Sequence, residues 1–260
     1  TYPQTTVGFA NTNTAEDVTI IRNLDIGEFT SPTGAVDFDG SGDYLSIPDN
    51  DAWYIETNYT AECWFKCDGI MGNGWDAIFG QWPTSGSNAT NGWVLEYVGT
   101  NLDFYYMTSN GSSNYVTLGQ ISLNEWHHFA LSKSGTSTRV FIDGTQAIST
   151  FDMGTQQNGT GAFTIGGYIA ANVAGQGYFN GQVSNVRITK GQALYTSNFT
   201  PPSSPLTTTS QGATASNVKL LCCQSTSSAT SASVTPGTIT ANGNAAATSV
   251  ASPVAKPFGI

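Results

Sequence analysis

Charge is scarce in this chain. Of its 260 residues 18 are Asp or Glu and 8 are Lys or Arg, 10% in all with a net charge of −10. Ordinary soluble domains carry about 25%. Bases are scarcest, and phosphate binding needs them clustered, so the composition argues against a nucleic-acid partner and against an anionic membrane surface. No apolar run reaches the roughly 18 residues that membrane insertion by a helix requires. Residues 1–33 show no signal-peptide pattern. Helical periodicity never persists beyond about two turns. Cysteine is limited to Cys63, Cys67, Cys222 and Cys223. On one strand Cys63 and Cys67 would lie ~13 Å apart, beyond the ~7 Å that a disulfide bridges. A bond between the adjacent Cys222 and Cys223 would be strained. Only a bridge between the two groups fits, and free buried thiols are the favoured alternative.

What is abundant points to strands. Glycine numbers 29, aromatics make up 12%, and Ser, Thr and Asn replace charge at the surface. This mixture suits extended segments joined by Gly/Asn turns. Residues 1–33 are polar with one β-like run, Val18–Ile21. Residues 34–202 hold a series of short strands separated by turns. Ala35–Phe38 and Tyr44–Ile47 flank the turn Asp39-Gly40-Ser41-Gly42. Ala61–Cys67 alternates, with Ala61, Cys63, Phe65 and Cys67 on one face and Glu62, Trp64 and Lys66 on the other. Trp93–Val98 and Leu102–Met107 form a hairpin about Gly99. Trp126–Ser132, Arg139–Ile142, Gln146–Ser149, Phe163–Ile165 and Val183–Ile188 complete the series. Many short strands at this spacing mean a sandwich or barrel. Residues 203–260 contain no Asp or Glu and are rich in Ser, Thr and Ala. Val218–Cys223 is apolar enough for a buried strand, and Thr238–Thr240 is a second candidate. This segment is expected to be partly ordered, packed on the sandwich or on a neighbouring subunit.

Three groups of residues invite chemistry. Asp37, Asp39, Asp43, Asp49 and Asp51 fall within fifteen residues, and Asp37-x-Asp39-x-Ser41-Gly42 imitates the first half of a calcium loop. Its twelfth position is Pro48, which excludes an EF-hand. Asp39 and Asp43 remain candidates for a rim calcium site, against the alternative that Asp caps its own turn. Residues 72–93, GNGWDAIFGQWPTSGSNATNGW, read as an aromatic loop. There Trp75 and Trp82 can stack on sugar rings while Asp76 and Asn88 bind hydroxyls. An apolar contact with a protein partner explains exposed Trp equally well, and Trp93 is expected in the core. His127 and His128, being adjacent, point to opposite faces of a strand and cannot share a metal; one packed and one at the surface is the expectation. Glu96 stands alone in the sequence. Five Asn-x-Ser/Thr sequons, at Asn58, Asn88, Asn110, Asn158 and Asn198, matter only in a eukaryotic secretory setting.

Four segments, AVDFDGSGDYLSIP (35–48), AECWFKCDG (61–69), NEWHHFALSKSGTSTRVFIDGTQ (124–146) and YFNGQVSNVRITKGQALYTSNFTPP (178–202), together resemble the laminin-G-like domains of the concanavalin A-like lectin/glucanase superfamily. RITKGQALYTSNFTPP is similar to versions in structural proteins of tailed, notably marine, phages. The resemblance implies an all-β, antiparallel jelly-roll β-sandwich over residues 34–202 that binds glycans or proteins. It implies a virion-surface location, with other virion structural proteins and cell-surface glycans as partners and homo-oligomeric assembly. A free bacterial lectin or adhesin is the alternative. Relatives with glucanase activity carry Glu-x-Asp-x-x-Glu on one strand; the chain lacks it, so an enzyme is not expected. No cofactor is expected beyond calcium at the Asp39/Asp43 turn, since related sandwiches use such rim sites.

Overall fold

The computed structural model describes residues 33–71, 74–82, 92–109, 111–156, 158–168 and 177–250. Val18–Ile21 and Asn88 lie outside them. Within the described residues sixteen strands build two antiparallel sheets. The smaller holds β2 (Tyr44–Ile47), β4 (Trp75–Gln81), β5 (Trp93–Val98), β6 (Asn101–Met107), β7 (Ser113–Gly119), β11 (Phe163–Ile165) and β15 (Thr240–Asn242), in the order β15-β2-β11-β4-β5-β6-β7. The larger runs β10-β9-β8-β3-β12-β1-β16. It comprises β1 (Thr33–Asp39), β3 (Asn58–Cys67), β8 (Trp126–Ser134), β9 (Ser137–Ile142), β10 (Thr145–Gln146), β12 (Asn180–Lys190) and β16 (Ala246–Val250). Where β1 stops pairing with β12, β13 (Val218–Cys222) takes over the same edge, and β14 (Ala232–Val234) pairs with β13. Asn185, at φ 53°, lies in the irregularity between the two halves of β12.

The alternation predicted for Ala61–Cys67 is what divides inside from outside. Ala61, Cys63, Phe65 and Cys67 face the core with Phe38, Val183 and Phe129, while Leu45, Phe79, Trp93, Leu95 and Phe104 come from the other sheet. Phe79 sits at its centre, edge-on to Trp93, Phe129 and Phe163 at 5.6, 5.7 and 6.1 Å. Such pairs add about 0.5–1.5 kcal/mol each beyond their buried area. The four cysteines are buried free thiols.

Four strands, β4, β7, β14 and β16, were hidden in the sequence. Trp75–Gln81 lies within the stretch read as a loop. Gly80 sits with its Cα against Trp93, where a Cβ would come within 2.2 Å of the carbonyl oxygen. A register shift between Ala77 and Phe79 also breaks the period-2 pattern. β7 is a sheet edge whose residues are exposed or half-buried, and Val116 and Leu118 alone turn to the core, too short an apolar face to mark it.

The outer faces of the two sheets differ. On the larger one, residues 191–217 lie across β3, β8 and β12. Tyr195 and Phe199 pack on Ala130 and Phe141, and Leu206 and Ala213 pack on Val218 and Leu221. Beneath them is a buried polar knot. Arg187 donates from Nε and Nη2 to Glu62 Oε1 at 2.8 and 2.6 Å, Tyr195 Oη donates to Glu62 Oε2 at 2.7 Å, and Arg187 Nη1 binds the carbonyls of Thr207 and Ser210. Among the described residues the smaller sheet has no comparable cover. Two of the exposed large side chains, Tyr115 at 63% and Trp75 at 42%, belong to it.

Candidate functional site

The open face of the smaller sheet is set by strand register. Trp93, Leu95 and Tyr97 of β5 point into the core, so Val94, Glu96 and Val98 point out. Residues directly opposite share a face. Tyr105 of β6 lies opposite Val94, and Tyr115 of β7 lies opposite Tyr105. Trp82, just past β4, packs against Tyr105 at 5.1 Å and 62°, and against Tyr168 at 6.0 Å and 57°. Tyr168, Trp82, Tyr105 and Tyr115 thus form a row of rings across the strands, with Tyr115 the most exposed.

Acids lie beside this row. Glu96 and Asp103 are directly opposite each other across the β5–β6 hairpin, a separation of ~5 Å between Cβ atoms. Glu96 is 2% exposed and Asp103 6%. Tyr168 Oη donates to Glu96 Oε2. Asp103 Oδ1 is buried with no hydrogen-bond partner. Burial, then the charges of Asp103 and Asp76, push Glu96 up to about 8. Burial likewise raises Asp103, against a hydrogen bond from Thr117 that lowers it. Glu96 therefore holds its proton at neutral pH and can donate, while Asp103 accepts. Stacking rings beside a donor and an acceptor are what a sugar ring requires.

The sequence-predicted residues divide. Trp75 and Trp82 share the outer face but stand at opposite ends of β4, about 20 Å apart. Asp76 is opposite Tyr97 and turns inward, where Oδ2 accepts from Met71 N at 2.8 Å. Only Trp82 joins the row. Tyr105, Tyr168, Glu96 and Asp103 escaped the sequence reading, although one signal was present. A two-residue hairpin turn at Gly99-Thr100 pairs residues whose numbers sum to 199, and so brings Glu96 opposite Asp103.

Residues 39–194, more than half of the chain, match the laminin-G-type family model described as Concanavalin A-like lectin/glucanases superfamily. The chain belongs to that superfamily. Among solved structures it is similar to a Bacteroides ovatus ATCC 8483 protein proposed to bind carbohydrate, with TM-score 0.57 and 18% identity over 86% of this chain and 62% of that one. The chain thus spans just under two thirds of that relative. It is also similar to the native heptameric SAP-like pentraxin of Limulus polyphemus, with TM-score 0.52 and 16% identity over 84% of this chain and 96% of that one. At these identities the likeness is one of fold. No curated protein matches the chain.

The remaining candidates of this concanavalin A-like sandwich have structural duties. Asp43 Oδ1 accepts from Asn244 N at 2.7 Å and Oδ2 from Asp39 N at 3.2 Å. Asp39 Oδ1 accepts from Ser41 N and Oδ2 from Asn244 Nδ2. Every carboxylate oxygen of the two calcium candidates is engaged by an N–H group, which closes the turn and fastens it to the chain before β16. His127 and His128 do face opposite sides, but neither reaches the surface as expected. His128 is fully buried beneath Tyr195 and Phe199, and His127 is 7% exposed. His127 Nδ1 lies 2.8 Å from Asp143 Oδ2, and its Nε2 lies 2.8 Å from Ser122 Oγ. This row has the order of an acyl-transfer triad. However, Ser122 Oγ also donates to Glu125 Oε2 at 3.0 Å. That carboxylate puts negative charge where an oxyanion needs N–H donors, so the row fastens the 122–127 turn. A cleft of about 540 Å³ opens elsewhere, lined by Tyr54, Glu56, Lys133, Asp152 and Gln156 among others. Lys133 Nζ is already bound to the carbonyls of Glu56 and Gly135.

Proposed function

We propose that the chain is a non-enzymatic glycan-binding module on a virion surface, a capsid-decoration or fibre-type protein. Its outer face on the smaller sheet meets host sugars. The observation that carries the binding reading is the row Tyr168–Trp82–Tyr105–Tyr115 beside Glu96 and Asp103. Fold likeness to a protein proposed to bind carbohydrate supports it. The virion setting is supported by the phage-like stretch at 187–202. Its physical logic is avidity, because many copies on one particle turn weak sugar contacts into firm attachment. Other virion proteins would then be held through the termini and sheet edges, with copies of this chain associating with one another. Calcium at Asp39 and Asp43 would have to displace Asn244, so glycan binding is expected to survive chelation.

A glycan array probed with the full chain, with and without EDTA, tests the reading. Binding that Trp82→Ala and Tyr105→Ala abolish, and that Lys219→Ala leaves intact, is the expected result. An array blank for every glycan would overturn it, and loss on chelation would restore the metal. Cryo-electron microscopy of particles from the source tests the setting. Absence from particles, with the protein soluble or on cells, would favour a bacterial lectin or adhesin.

The Glu96–Asp103 pair also gives a specific ground for a second reading, glycoside hydrolysis. Two carboxyl groups at close range, one protonated at neutral pH, are the elements of a retaining mechanism. Release of sugar from labelled oligosaccharides, abolished by Glu96→Gln, would replace the binding-only reading.

A further inference from the structure

The seven strands of the smaller sheet carry Asp76, Glu96 and Asp103 and not one Lys, Arg or His. The described bases Lys66, Lys133, Arg139, Arg187, Lys190 and Lys219 are all on strands of the larger sheet. Acids directly opposite each other across a strand pair destabilise a sheet, yet Glu96 and Asp103 occupy such a pair. Asp103 Oδ1 is buried on this face with no donor. A neutral sugar hydroxyl could satisfy that oxygen but would leave the charge uncompensated. Nor do three ligating side chains converge on a metal anywhere among the described residues. Trp82 and the two rings inclined against it, Tyr105 and Tyr168, offer π-faces to a cation, the arrangement that recognises organic ammonium groups.

We propose that the glycan selected by this face is an amino sugar with its nitrogen unacetylated, the ring lying on Trp82 and Tyr105 and the ammonium against Asp103 and Glu96. The inference rests on the glycan-binding reading of the same face. It predicts a pH signature. Glu96 faces Asp103 from β6 and the Tyr168 hydroxyl, with Asp76 of β4 beyond the sheet, and no base among the described residues opposes them. Burial and these acids keep its proton on up to about pH 8. An arriving ammonium takes the place of that proton, which is released. Affinity should rise with pH as Glu96 yields its proton, then fall as the sugar amine loses its own.

Calorimetry on the full chain with glucosamine oligomers, their N-acetylated forms and glucose oligomers of equal length decides the matter. The expected result is at least ~10-fold tighter binding of the free-amine oligomer, with heats that vary with buffer ionisation enthalpy as protons are released. Glu96→Gln and Asp103→Asn should remove that preference without shifting the unfolding midpoint downward, because each keeps the side-chain shape and relieves repulsion. Equal binding of all three oligomers would overturn the amine assignment and leave glycan binding standing. Binding of none of them, together with a blank glycan array, would overturn both.

Discussion

Glu62 is the residue on which the covered face turns. Its carboxylate, fully buried, meets Arg187, Tyr195 and His128. Removing one partner of such a buried pair strands the other's charge, at a cost of about 3–5 kcal/mol. Glu62→Gln should lower the unfolding free energy by about that much in urea titration. The double replacement Glu62→Leu/Arg187→Leu should cost less than the sum of the single changes, since neither charge is then left alone. Strict additivity would mean the two do not interact. The position of Glu62 outside the core was legible, because residues 61–67 alternate cleanly. Its partners were not. Tyr195, Thr207 and Ser210 belong to a stretch without periodicity, where tertiary contact alone determines what lies over the sheet. Glu96 is a different case. It looked solitary in the sequence, because a three-residue turn at 99–101 would set it opposite Phe104, whereas the two-residue turn of the structure sets it opposite Asp103.

Hairpins and edge strands show the same divide one level up. Asp143-Gly144 forms a two-residue turn between β9 and β10, and both residues have positive φ, 51° and 75°. Gly144 does more than turn. Its carbonyl accepts from Phe199 N, and a Cβ at position 144 would fall 1.9 Å from the Phe199 carbonyl oxygen. Gly144→Ala should therefore cost at least ~2 kcal/mol and loosen residues 191–202 from β8 and β9. Faster amide hydrogen exchange around Phe199 would register this; unchanged exchange would show that the carbonyl moves aside freely. The aromatic row depends on β4, which was misread as loop because Gly80 and the bulge beside it erase the strand pattern. Consequently Trp75 and Trp82 looked like neighbours in one loop when they bracket a strand. The chain after residue 203 tests dependence between elements. β13 and β16 cover the edges of β12 and β1, and β15 extends the smaller sheet past β2. Deleting residues 218–260 should expose paired edges and the core beneath Leu220, giving an aggregating chain. Light scattering with far-ultraviolet circular dichroism would check it. A monodisperse, β-rich 1–217 fragment would mean that 34–202 folds independently.

Charge is divided between the two sheets, and this shapes the response of the whole molecule to pH. In the folded chain burial, then Asp103 and Asp76, raise Glu96 to about 8, whereas unfolded it titrates near 4.3. Between those values the folded state keeps a proton that the unfolded state has lost. Glu96 therefore favours folding fully below about 4.3, and that contribution is lost as pH rises through 8, at up to about 1.4 kcal/mol per unit. Glu62 acts in the opposite direction. Burial raises it, but hydrogen bonds from His128 and Tyr195 with the charge of Arg187 prevail and hold it below its ordinary value. Its contribution is present above the unfolded value near 4.3 and is lost as pH falls through the lower folded one. The two slopes place maximal stability in acidic solution, near the unfolded carboxyl value of about 4.3. Denaturant midpoints should fall from pH 5 to 8, and Glu96→Gln should flatten that decline while sparing the acid limb. A saturating free-amine oligomer should also flatten it, because an ammonium against Glu96 and Asp103 stabilises the ionised pair. A midpoint that rises from pH 5 to 8 in the free protein would mean that Glu96 is ionised when folded, and that an ammonium binds this face without displacing a proton.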